Sequence, residues 1–194
     1  APHTAAAMPY TLPTYGRSQS LLRNFDRIDV LMFFAWVVST TLPFGWAAPL
    51  RYMAAAYFAA AIVLFARQTM PSAFRAWPTL IIPILCFIAA TWAPSSSAAI
   101  RKGVMLAFTA VVAIYAASRL SGRQILTIFF FAEVIAAVMS IMKPTVMGGA
   151  WTGIFGQKNF LAIHMFIFFI AALTVALDKG SNRLIRLSAL GMVP

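Results

Sequence analysis

The chain has 194 residues, 62% of them hydrophobic and 10% charged, with a formal net charge of +11. A soluble domain is roughly 45–50% apolar and about 25% charged, so a water-soluble fold of this length lacks the polar side chains to cover itself. Disorder is excluded by the same numbers, and a disulfide scaffold by the single cysteine, Cys86. What remains is an all-α, polytopic transmembrane helical bundle. Its cations lie between apolar runs and not in one patch, which argues against a nucleic-acid partner and for loops held at a lipid surface.

Residues 1–20 are rich in Ala, Pro, Thr and Ser, lack periodicity, and read as a mobile N-terminal tail. Residues 21–194 read as the bundle. Leu21, Leu22, Phe25 and Ile28 fall on one helical stripe with charges opposite, the pattern of a short helix on the membrane surface that leads into a span. Six apolar segments follow, over about 28–48, 50–66, 78–93, 103–118, 124–142 and 160–177, and a seventh begins over Leu184–Pro194. Several are shorter than the ~20 residues that cross a ~30 Å core. Trp46, Trp77 and Trp92 would complete them as interfacial anchors. Pro43, Pro78 and Pro83 lie in or near spans, where membrane helices tolerate proline. The Ala-rich stretches read as packing surfaces. A chain that opens on Ala1 and stops inside a seventh segment reads as the N-terminal part of a larger membrane domain.

Charge sets the expected topology. Arg17, Arg23, Arg27, Arg67, Arg75, Arg119, Arg123, Lys179, Arg183 and Arg186 fall on one side of the alternating segments. Arg51, Arg101, Lys102, Lys143 and Lys158 fall on the other. The excess assigns the first side, and the N-terminus, to the cytoplasm. The second side has five exceptions to the rule, which invite a functional reading.

The most distinctive stretch runs from Lys143 to Phe160, KPTVMGGAWTGIFGQKNF, between the fifth and sixth segments on the outer side. Gly148, Gly149, Gly153 and Gly156 free its backbone for tight turns or close approach to a ligand. Gln157, Lys158 and Asn159 then open the sixth segment, and a helix N-terminus beside a cation is an anion site suited to a diphosphate. The alternative is a capped re-entrant turn, with Asn159 as N-cap and Lys158 snorkelling. The spacing is not that of a P-loop. Arg101 and Lys102, which open the fourth segment on the same side, are suited to lipid diphosphate or simple headgroup contact. Arg51 and Lys143 read as interfacial anchors.

Within this stretch Trp151-Thr152-Gly153-Ile154-Phe155-Gly156-Gln157-Lys158-Asn159-Phe160-Leu161-Ala162 resembles the Gly-x-Phe-x-x-x-Asn-x-x-Ala/Gly region of the O-antigen ligase and polymerase superfamily, Wzy/WaaL type. Its Gly-Ile-Phe-Gly-Gln-Lys-Asn form is most similar to the exopolysaccharide-polymerase (ExoQ-like) branch. The resemblance covers about 28–194, roughly the first half of a family member. It implies a multi-pass glycosyltransferase of the bacterial inner membrane that polymerises or ligates glycan carried on undecaprenyl diphosphate. It implies no metal, no cofactor and no nucleotide sugar, with other polysaccharide-assembly proteins as partners. The family's large outer loop lies later in its chains, so no catalytic residue is carried over, and these residues alone are expected to be inactive. From charge, helix terminus and backbone freedom, the candidate substrate-binding residues are Lys158, Asn159, Gln157, Arg101, Lys102, Gly153 and Gly156.

Glu133 lies near the middle of the fifth segment, where an ionisable group is costly. His164 lies about one turn inside the sixth. The two differ in depth by only about 6–7 Å, which permits pairing across antiparallel helices. Such a pair serves either as a proton relay or as a structural lock between helices. Cys86 reads as a small packed hydrophobe, and no residue set has the spacing of a metal site or a nucleophilic triad. The rival readings are a proton-coupled transporter or flippase built on Glu133, His164 and the Gly-rich break, and a non-catalytic membrane fragment.

Overall fold

A computed structural model describes the backbone of Gln19–Met192 apart from Ser181, and the side chains of 27–191 apart from Ser181. The expected tail up to residue 18 and the side chains of Leu21, Leu22 and Phe25 in the apolar stripe lie outside the described residues. Among the described residues eight α-helices account for most of the backbone: α1 Gln19–Thr41, α2 Ala48–Leu64, α3 Ala66–Arg75, α4 Ile81–Ala89, α5 Ser96–Arg119, α6 Gly122–Met142, α7 Lys158–Leu177 and α8 Arg183–Met192. A two-stranded hairpin, β1 Val146–Met147 and β2 Ala150–Trp151, stands between α6 and α7.

Among the described residues four helical stretches are long and apolar enough to cross a membrane, over Gly45–Leu64, Ser96–Arg119, Gly122–Met142 and Lys158–Leu177. A fifth is reached if α3 and the Trp77–Ala89 stretch, bent by 85°, make one broken span. The expected count of six is not reached among these residues: α1 has the length of a span but carries Arg23, Asp26, Arg27 and Asp29, and the third segment is broken. Pro43 ends the first segment, so α1 stops at Thr41, and a 3-10 turn over Gly45–Ala47 runs on into α2. Pro78 opens a 3-10 turn at Trp77–Leu80 that redirects the chain, leaving α4 only nine residues. Between the second and third segments stands α3, a polar helix, in place of the expected plain loop. Where a seventh segment is expected, the ten-residue α8 packs on α7, with Ala189 buried against the cluster of Ala171, Ala172, Val175 and Ala176.

Packing follows the rules of a lipid solvent. With no hydrophobic force between helices, small side chains let backbones approach closely. On α2 and the turn before it Ala47, Ala54 and Ala61 recur every seven residues and are all buried. On α6 Ala132, Ala136 and Ser140 recur every four and are buried too. Large aliphatic residues such as Val63, Leu64 and Met142 are left exposed. Inside, an edge-to-face aromatic network ties four helices together: Trp36 and Phe33 of α1 meet Phe58 of α2, Phe108 of α5 and Phe129 of α6 at centroid distances of 5.6–6.4 Å. Several apolar helices with such exposure are compatible with a multi-pass membrane protein.

Two polar knots fix the ends. Ser39 would give its carbonyl to the N–H of residue 43, but that residue is proline and has none. Arg51 fills the gap, with Nε donating to the Ser39 carbonyl at 3.1 Å and Nη2 at 2.5 Å. The expected interfacial anchor is thus a C-terminal cap for α1. At the opposite end Asp29 is buried among α1, α2 and α5. It accepts from the Tyr57 hydroxyl at 2.6 Å, the Tyr115 hydroxyl at 3.0 Å and Arg119 Nε at 3.1 Å. The guanidinium also lies over the Phe65 ring, 4.8 Å from its centroid.

These contacts fix helix directions. Asp29–Tyr57 with Ser39–Arg51 makes α1 and α2 antiparallel. Trp36–Phe108 with Asp29–Tyr115 does the same for α1 and α5. Glu133–His164 with Arg123–Asp178 does so for α6 and α7. Phe33–Phe129 with Phe44–Lys143 makes α1 and α6 parallel. One end of the bundle therefore collects Arg27, Arg67, Arg119, Arg123 and Lys179. The other collects Arg51, Arg101, Lys102, Lys143 and Lys158.

Candidate functional site

The Gly-rich stretch folds as two structures with different tasks. Its first half is the β1–β2 hairpin, closed by a two-residue turn at Gly148 and Gly149. Their φ values of 58° and 76° are left-handed, as the tight hairpin turn requires. Below the hairpin Thr145 and Thr152 clasp each other. The Thr152 N–H donates to the Thr145 carbonyl at 2.8 Å, the two hydroxyls lie 2.9 Å apart, and the Thr145 hydroxyl donates to the Gly153 carbonyl. Thr152 is fully buried.

The second half, a 3-10 turn over Gly153–Phe155, dips between α6 and α7. Gly153 has φ 55°, and a Cβ there would stand 2.7 Å from both Cβ and Oγ of Ser140. Only glycine permits this approach. The Ile154 N–H points to the Ser140 hydroxyl at 3.4 Å. Phe155 stacks on the His164 ring at 4.3 Å with 7° between planes. His164 Nδ1 in turn meets the Glu133 carboxylate at 3.0 and 3.2 Å. Glu133 is 1% exposed. The pairing expected from depth is present: the carboxylate holds the imidazole by its edge, and the imidazole face carries the Phe155 ring of the turn. Phe155 is a site residue that the sequence reading does not single out. Its signal is its place in the Gly-Ile-Phe-Gly run, nine residues before His164.

Removing the carboxylate should loosen this arrangement. Glu133→Ala leaves the His164 nitrogen without its carboxylate and is expected to cost about 1–3 kcal/mol. Glu133→Gln, which keeps an acceptor, should cost less. Thermal unfolding of the purified protein in detergent measures both; equal midpoints for wild type and Glu133→Ala would show that the pair holds nothing.

Past Gly156 the chain turns into α7. The helix starts at Lys158, with Gln157 as its N-cap residue and no side-chain cap. Asn159 is therefore in the first turn, which corrects its reading as N-cap. Gln157, Lys158 and Asn159 are exposed, and with Met147, Gly148, Thr152 and Gly156 they line an open cleft of about 400 Å³. Lys158 occupies a position where a helix favours Asp or Glu, and the first turn has no acidic residue. Its ammonium adds to the positive helix terminus instead of offsetting it. Gly153, buried under the hairpin, does not line the cleft.

Arg101 and Lys102 are exposed on the first turns of α5, at the same end of the bundle as Lys158 but not in the cleft. Lys143 lies over the Phe44 ring, 5.5 Å from its centroid. Among the described residues no group of three or more His, Cys, Asp or Glu is placed to hold a metal ion. No family model, curated protein or solved structure matches the chain.

Proposed function

We propose that the chain is part of a bacterial inner-membrane glycosyltransferase that polymerises or ligates glycan carried on undecaprenyl diphosphate, with its N-terminus in the cytoplasm. The observation that carries this reading is the cleft at the start of α7, where Lys158 stands uncompensated at a helix N-terminus beside exposed Gln157 and Asn159. A diphosphate at the membrane surface supplies the negative charge that such a cleft lacks. Arg101 and Lys102, at the same end, extend the positive field over a leaving group. Holding a departing diphosphate is electrostatic work, done best by groups fixed before the reaction. The Glu133–His164–Phe155 contacts and the Thr145–Thr152 clasp provide that fixing. The acceptor-activating group is assigned to none of these residues.

The test is polymer output. In cells that make the polymer, Lys158→Ala in the chromosomal copy should lower output about tenfold, the loss of one charge-assisted contact, with membrane insertion unchanged. Arg101→Ala should lower it less, because Arg101 lies outside the cleft. Wild-type output from both variants would refute the reading.

The buried Glu133–His164 pair favours one rival, a proton-coupled transporter. Uptake driven by a proton gradient into vesicles containing the protein, and abolished by Glu133→Gln, would select that rival over the enzyme.

A further inference from the structure

A groove of about 500 Å³ runs along the outside of the bundle between α1 and α6, far from the cleft. Its walls are hydrocarbon: Leu31 and Phe34 on one side, Ile128 and Phe131 on the other, with Thr127 the one neutral polar side chain. At its mouth stands exposed Arg27. Two turns separate Arg27 from Phe34, so the groove extends about 10 Å along the helix axis from the cationic residue. Arg27 belongs to the end of the bundle that also gathers Arg67, Arg119, Arg123 and Lys179. Asp29, two residues on, is turned inward and engaged by Arg119, so its charge does not offset Arg27 at the groove.

An apolar slot along the helices with a cation at its membrane-surface end has the complementary form of an anionic phospholipid: one acyl chain in the slot, phosphate at the guanidinium. We infer that this groove is a binding site for an anionic phospholipid of the leaflet at the Arg27 end. A neutral lipid gains the same hydrocarbon contact but not the charge-assisted bond. Exposed Arg67 and Lys179 at the same end raise the local concentration of anionic headgroups, and Arg27 selects among them.

Photo-crosslinking tests this directly. The protein, with a benzophenone amino acid in place of Leu31, is placed in nanodiscs of equimolar phosphatidylglycerol and phosphatidylcholine, and the lipid adducts are weighed. A basic residue at the membrane surface contributes about a fivefold preference, so phosphatidylglycerol adducts should outnumber phosphatidylcholine adducts by about that factor. Arg27→Gln should remove the excess and Arg27→Lys should keep most of it. Equal adducts in the protein with Arg27 intact would overturn the proposal. So would an adduct to a second copy of the chain, or a co-purified polyprenyl phosphate in place of phospholipid.

Discussion

Asp29→Ala should leave little folded protein in detergent, at a cost of about 3–5 kcal/mol. The change removes the carboxylate that Arg119, Tyr57 and Tyr115 all address. The Arg119 side chain is only 8% exposed, so its buried guanidinium would lose the carboxylate that lies 3.1 Å from its Nε. Breaking one member of a buried ion pair is far more damaging than replacing both, because the remaining charge keeps its desolvation cost. Two tyrosine hydroxyls also lose their acceptor. Tyr57→Phe, which removes one neutral donor, should cost only about 1 kcal/mol. Unfolding followed by size exclusion across a temperature series checks the contrast. A shift for Asp29→Ala no larger than that for Tyr57→Phe would contradict the buried-pair reading. In a membrane the effect is sharpened, since Asp29 ties α1 to α2 and α5 at one end, and elsewhere among the described residues the Arg51 cap and close packing join them.

Gly153→Ala should release the turn that dips between α6 and α7 beneath the hairpin. The substitution meets two penalties. A left-handed backbone costs an L-residue about 1–2 kcal/mol, and a Cβ 2.7 Å from Ser140 forces a shift worth about 1–3 kcal/mol more. Gly156 separates the two, because its φ of 67° is also left-handed while nothing lies within 4 Å of its added Cβ. Gly156→Ala should therefore show the strain alone. Ser140→Gly in the Gly153→Ala background should recover part of the loss by removing the atoms that clash. The readout is thiol reactivity of Ile154→Cys in a Cys86→Ser protein: slow with Gly153 intact, fast with Gly153→Ala, and intermediate when Ser140→Gly is added. Equal effects of Gly153→Ala and Gly156→Ala would mean that the close approach to Ser140 contributes nothing.

The parts of this structure that are legible in the sequence are those set by local pattern. The helical class follows from composition, and α5, α6 and α7 lie close to their apolar runs. Their polar flanks, such as the Ser121–Gln124 capping box that starts α6, mark the ends. The Glu133–His164 pair is legible because one connection joins their helices, so depth can be counted from a shared end. The prolines are visible but their consequence is not. Pro43 and Pro78 read as tolerated within spans, whereas each ends or redirects a helix. The pairing of Asp29 with Arg119 escapes local pattern altogether: they lie 90 residues apart, and one reads as the polar face of a surface helix and the other as a loop cation. A signal does exist. The chain has only four acidic residues. In so apolar a chain each buried carboxylate needs a polar partner, and Asp29, Glu133 and Asp178 each have one, in Arg119, His164 and Arg123. The scarcity of carboxylates therefore points to the knot independently of where the spans fall.

The claim on which the functional reading depends is that the lip carrying Lys158 grips a polyprenyl diphosphate. Its most direct test is equilibrium binding of undecaprenyl diphosphate to the purified protein in neutral-lipid nanodiscs. Wild-type protein should bind saturably, and Lys158→Ala should weaken binding about tenfold, near 1.4 kcal/mol, while undecaprenol without phosphate should not compete. Equal affinity for wild type and Lys158→Ala, or full competition by undecaprenol, would contradict it.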